Sequence, residues 1–195
     1  MFGFKVDGRE NIPKDGGVII APNHLSNFDP PLVGAGVWFR ECYFFAKRWL
    51  FVVNKFYAWL LRAFNAYEVD TENPSKKMLK YTQELLNKGL AVMFFPEGTR
   101  SKEVSPQVGH FLKFNPGIGW LALKCGVPIV PTLVSGTNTP LIKQFTRKSK
   151  VYIKFGTPIT KEYLSKFKPG KESRELIAQE VAHRIKELYE SIPYT

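Results

Sequence analysis

Gly17-Val18-Ile19-Ile20-Ala21-Pro22-Asn23-His24-Leu25-Ser26-Asn27-Phe28-Asp29-Pro30-Pro31-Leu32-Val33 is the stretch from which the fold is read. Gly17 to Ala21 is a short, uninterrupted apolar run and predicts a buried strand. Pro30-Pro31-Leu32-Val33 predicts the first turn of a helix, over about 31–39, because proline is pre-organised for helix N-termini. Between them one histidine and one carboxylate, five positions apart, occupy a loop held by rigid elements at both ends, where catalytic groups concentrate. A neutral imidazole takes up a proton near pH 7, and a carboxylate fixes its tautomer and stabilises its cation. His24 and Asp29 are the candidate catalytic pair. Asp29 also suits a helix N-cap, and a capping carboxylate keeps a second oxygen free for the histidine.

Working outward, the same alternation recurs. Cys42-Tyr43-Phe44-Phe45-Ala46 predicts a second buried strand, ending at Lys47-Arg48. Phe64 to Val69 and Leu90 to Phe95 predict two more, separated by a helix opened by Asn73-Pro74 and closed by Gly89. Pro116 to Lys124 reads as a short helix ended by Gly126. Val127 to Val134 and Val151 to Phe155 complete the strands. Lys171 to Ser191 is an amphipathic helix with Ile177, Val181, Ile185 and Leu188 on one face. Residues 99 to 116 read as a polar loop carrying Lys102, His110 and Lys113. Strands alternating with helices define an α/β class: a largely parallel central sheet with helices on both faces. At 195 residues, the expectation is a single domain spanning 1–195.

Residues 49 to 63, WLFVVNKFYAWLLRA, are too long for an ordinary strand and predict one helix. Arg48, Lys55 and Arg62 are spaced seven apart, which sets them on one stripe of that helix. Such a helix either fills the core with one wet edge or lies in a membrane interface with its cations at the headgroups. The second reading is favoured.

The chain carries a formal charge of +11, with a pI near 9.6. A charge of that size calls for an anionic partner. Nucleic acid is disfavoured: the cations are interleaved with long apolar runs and no recognition motif is present. Cys42 and Cys125 are the only cysteines and read as reduced residues of a cytosolic core rather than a disulfide. No cluster of histidine, cysteine or carboxylate has metal-ligand spacing, so no metal is expected. No run reaches the roughly 18 apolar residues of a membrane span.

The strand Leu90 to Phe95 runs into Pro96-Glu97-Gly98-Thr99-Arg100-Ser101. Asn23 to Pro30 and Phe94 to Ser101, in that order and followed by Val127-Pro128-Ile129-Val130-Pro131, resemble the glycerolipid acyltransferase family. The likeness spans residues 23 to 131. It implies acyl transfer from a thioester to an alcohol by a single displacement, with His24 as base, Asp29 behind it and no acyl-enzyme. Consistently, no G-x-S-x-G elbow is present. It implies that Glu97, Gly98, Thr99 and Arg100 bind the glycerol phosphate of the acceptor, with Lys47 as a further cation. The expected acceptor is a lysophospholipid, 1-acylglycerol 3-phosphate. The expected donor is acyl-coenzyme A or acyl-acyl carrier protein, a co-substrate with no resident cofactor. Other lysolipids or amphiphilic alcohols, or a non-catalytic binder of anionic lipid, remain as alternatives.

Two positions depart from the family pattern. Thr71 stands where an arginine often follows the third strand, and Phe114-Asn115-Pro116-Gly117 replaces a Phe-Lys-x-Gly pattern, with Lys113 one place early. Both lie on the acceptor side. Many members of the family begin with membrane-embedded helices, whereas this sequence starts almost at its first strand. The expectation is therefore a peripheral protein on the cytoplasmic face of the cell membrane, held by the helix over 49–63.

Overall fold

Val18–Pro22 (β2) is buried at every position, as a strand covered on both faces must be. It lies at the centre of a seven-stranded sheet. The structure, a computed structural model, describes residues 3–69, 76–98, 114–137 and 151–192. Around β2 are Phe4–Asp7 (β1), Cys42–Lys47 (β3), Ala66–Val69 (β4), Ala91–Met93 (β5), Ile129–Ser135 (β6) and Val151–Phe155 (β7). Their order is β1-β7-β6-β2-β5-β3-β4. Five of the six neighbouring pairs are parallel; β6 and β7 are antiparallel. The five strands β2 to β6 therefore share one direction and end at one edge of the sheet. In open α/β sheets that carboxyl edge is where sites are built.

The alternation of β2 sorts the core into two layers. Ile19 and Ala21 face Lys76–Asn87 (α4), Gly117–Cys125 (α5) and Lys171–Glu190 (α7), through residues such as Leu86, Leu121 and Val181. Val18 and Ile20 face Asp29–Gly36 (α1), Leu50–Val53 (α2) and Lys55–Ala63 (α3), through Val33, Phe51 and Leu61. A short helix, Lys161–Leu164 (α6), precedes α7. Gly119 lets α5 lie close against α7: a Cβ there would come within 2.6 Å of the Arg174 carbonyl oxygen. The α/β class with helices on both faces is as the sequence predicts.

Four local expectations are corrected. The helix over 49–63 is two helices. Asn54 is extended (φ −148, ψ 122), and its side chain accepts hydrogen bonds from Phe56 N and Tyr57 N, capping α3. Asparagine competes for the backbone in this way and opens helices more readily than it continues them. The single stripe of Arg48, Lys55 and Arg62 is lost with the break. Arg48 precedes α2 and pairs with Glu68 at 3.2 Å, while Arg62 lies over the Phe51 ring at 5.3 Å. Asp29 is not the N-cap of α1 but its first residue; Phe28 takes the cap position without a side-chain bond. The strand expected from Phe64 begins at Ala66, because Phe64 and Asn65 form the turn that closes α3. The N-terminal strand β1 was not expected. It is a short edge strand, with Phe4 and Lys5 exposed, so its pattern carries little burial signal.

Candidate active site

The polypeptide leaves β2 at its carboxyl end and turns through Asn23-His24-Leu25-Ser26-Asn27-Phe28 into α1. Asn23 extends the sheet by side chain. Its Nδ2 donates to Val134 O at 2.9 Å and its Oδ1 accepts from Val134 N at 2.7 Å, so the loop starts rigidly tied to β6. The Asp29 carboxylate then reaches back from α1. Oδ2 lies 2.9 Å from His24 Nδ1 and accepts from Leu25 N at 2.6 Å and Ser26 N at 2.7 Å. Asp29 is fully buried, and its Oδ1 has no hydrogen-bond partner among the described residues. An oxygen already accepting two backbone N–H groups accepts from Nδ1 as well, which assigns the ring proton to Nδ1 and leaves Nε2 with its lone pair. The His24 side chain is 17% exposed and its ring lies 4.3 Å from that of Phe95. The pair is a buried carboxylate, an oriented imidazole and one nitrogen able to take a proton.

The second motif begins at the end of β5, the neighbour of β2, and reaches the same loop. Phe95 supplies the ring beside His24. The Glu97 carboxyl turns inward rather than outward: Oε1 accepts from His24 N at 3.1 Å, and Oε2 is buried without a partner among the described residues. Burial pushes the Glu97 carboxyl up to about 7; the His24 N–H opposes this and the nearby Asp29 charge adds to it. Gly98 adopts φ 70, left-handed backbone that glycine enters without steric cost. Asn115 ties the turn to α5: its N–H donates to Pro96 O at 2.7 Å and its side chain accepts from Gly117 N at 2.8 Å.

Lys47 ends β3 at the same sheet edge, two strands from β2, with its side chain exposed. Thr99 and Arg100 lie outside the described residues, as do Thr71, Lys102, His110 and Lys113. His183 is exposed on α7, 3.4 Å from Glu187 and remote in sequence from both motifs. Three contributors escaped the sequence reading: Asn23 as a ladder extension, Phe95 as the ring's neighbour, and Tyr57. The Tyr57 hydroxyl donates to Asn27 O at 3.0 Å and joins α3 to the His24 loop. The first two lie inside recognisable motifs. Nothing in the spacing of Tyr57 marks it, since the contact is made across two elements.

The fold and this pair define an α/β protein with a carboxylate-backed imidazole at the carboxyl edge of its sheet, a layout suited to proton abstraction in group transfer. The Acyltransferase family model matches residues 3–135. The 1-acyl-sn-glycerol-3-phosphate acyltransferase of Bacillus subtilis (strain 168) is 31% identical over 186 residues, covering 95% of this chain and 88% of that protein. The protein of the same name from Saccharomyces cerevisiae is 32% identical over 195 residues, covering 94% of this chain and 60% of that one. The crystal structure of the 1-acyl-sn-glycerophosphate (LPA) acyltransferase, PlsC, from Thermotoga maritima superposes with a TM-score of 0.70 at 28% identity, over 98% of this chain and 74% of that one. This chain belongs to the acyltransferase family. It spans most of the Bacillus relative but only 37% of the chloroplast relative from Arabidopsis thaliana.

Proposed function

We propose that this protein transfers a fatty acyl group from a thioester to the free hydroxyl of a lysophospholipid, 1-acylglycerol 3-phosphate, giving phosphatidic acid. The observation that carries this reading is the 2.9 Å contact between His24 Nδ1 and Asp29 Oδ2 at the carboxyl edge of the sheet. The names of the relatives supply the acceptor. His24 Nε2 takes the proton from the acceptor hydroxyl as its oxygen attacks the thioester carbonyl. The tetrahedral intermediate collapses, the C–S bond breaks, and the imidazolium returns the proton to the departing thiolate. Asp29 holds the tautomer and faces the transient cation. Gly98, Thr99, Arg100 and Lys47 receive the acceptor phosphate, as anion recognition by backbone N–H groups and fixed cations requires. The donor is acyl-coenzyme A or acyl-acyl carrier protein; both are anionic, which suits a chain of +11.

The same reading makes the protein peripheral at an anionic membrane on the cytoplasmic side. No helix among the described residues is long and apolar enough to cross a membrane. The support is the outer surface of α2 and α3, where Val52 (75% exposed), Phe56 (70%) and Trp59 (62%) face solvent together with Trp49 and Val53. Large apolar side chains held outward beside cations such as Lys55 suit an interfacial segment. Tyr57 links this surface to the His24 loop.

Purified protein given a panel of lysolipids with each donor, followed by product analysis, tests the reaction. Phosphatidic acid formed from 1-acylglycerol 3-phosphate in preference to acceptors lacking the phosphomonoester is the expected outcome. No acyl transfer to any lysolipid from either donor overturns it.

A further inference from the structure

Glu97 is 9% exposed, and its carboxyl is directed at the backbone of the proposed base. Its Oε1 accepts from His24 N at 3.1 Å, across a sequence separation of 73 residues. That bond, the Asn23 ladder and the Asp29 contact grip His24 from three sides. Asn23 fixes the residue before it, Asp29 orients the ring, and Glu97 fixes the amide from which the side chain springs. The bond the carboxyl makes among the described residues is therefore to the loop, through Oε1, with Oε2 buried beside it. An acceptor-binding role needs a group aimed at ligand; a carboxyl closed under the loop is aimed at His24.

We infer that Glu97 is a positioning residue for His24, acting through the His24 backbone N–H, and not a contact for the acceptor phosphate. The inference rests on His24 being the base in the proposed reaction. The accepting oxygen matters, and the negative charge does not. Burial keeps a large fraction of Glu97 neutral at pH 7, and a neutral carboxyl still offers that oxygen. Shifting a base by a fraction of an ångström lowers turnover while leaving acceptor affinity alone.

Three substitutions separate reach from charge. Glu97→Gln keeps the accepting oxygen and removes the charge. Glu97→Asp keeps the charge and withdraws it by one methylene. Glu97→Ala removes both. Steady-state kinetics with varied acceptor should leave Gln within a few-fold of wild type. Asp and Ala should each lose kcat by about 10²-fold with the acceptor KM unchanged. Amide hydrogen exchange of the peptide covering residues 22–29 reads the anchoring without reference to turnover: faster exchange in Asp and Ala than in wild type, and near wild-type exchange in Gln. The exchange measurement keeps a failure of this inference distinct from a failure of the proposed reaction. If Ala does not fold, Gln against Asp decides. A raised acceptor KM at constant kcat, or Asp active where Gln is not, or equal exchange in all variants, overturns the assignment.

Discussion

The His24 loop and the α2–α3 surface lie side by side, joined by the Tyr57 hydroxyl, and are built by opposite rules. In the loop, polar groups are paired across long sequence separations: Asn23 with Val134, Glu97 with His24, Asp29 with three donors. On α2 and α3, large apolar side chains such as Val52, Phe56 and Trp59 are left facing outward, while Phe51, Ala58 and Leu61 are buried and Leu50 and Tyr57 pack against the core. Proton transfer depends on distances of tenths of an ångström, which buried hydrogen bonds enforce. Contact with lipid depends on apolar area, which tolerates imprecise geometry. A single substitution should therefore ruin the first region and only weaken the second.

The largest expected effect is in the loop. His24→Ala should reduce acyl transfer by about 10²–10⁴ fold, the usual worth of a general base, with the fold retained by circular dichroism. Asp29→Asn should lose most activity too, because an amide in its place no longer favours the Nδ1 proton. A folded His24→Ala protein with near-normal turnover breaks the comparison at its first term.

The next effect belongs to Glu97 and is read in stability. Its carboxyl is raised from an ordinary 4.5 to about 7 in the folded protein. Below about pH 4.5 both folded and unfolded states hold the proton, and the contribution is fully present. As pH rises towards 7 the unfolded chain ionises first, so the folded state loses stability, on the order of 3 kcal/mol across the window. Thermal melts of wild type and Glu97→Gln between pH 5 and 8 check the sign. The gap should widen in favour of Gln as pH rises; a gap that is constant or reversed contradicts it.

The smallest effect is on the surface. Phe56→Ser with Trp59→Ser should weaken binding to anionic liposomes by on the order of tenfold or more, since each ring removes apolar area from the contact. Turnover of a short-chain, monomeric acceptor should stay near wild type. Sedimentation with liposomes measures the first and a soluble assay the second. Equal loss in both would mean that these rings support the loop and not the lipid contact.

Local pattern alone determined the strands β2, β3, β5, β6 and β7, the helix from 171 onward, the α/β class and the pair His24–Asp29. Those features depend on short-range periodicity, burial and residue chemistry, all written along a few neighbouring positions. The edge strand β1 and the inward turn of Glu97 were decided by tertiary structure, and the break at Asn54 escaped the pattern. For β1 and Glu97 the deciding partner is distant in sequence; at Asn54 it is local, a side chain that accepts from Phe56 N and Tyr57 N and is hidden in an otherwise apolar run. β1 exists because β7 offers it a free edge. Glu97 is a ligand-type residue by motif, and only the adjacency of β5 and β2 in the sheet puts the His24 N–H within its reach.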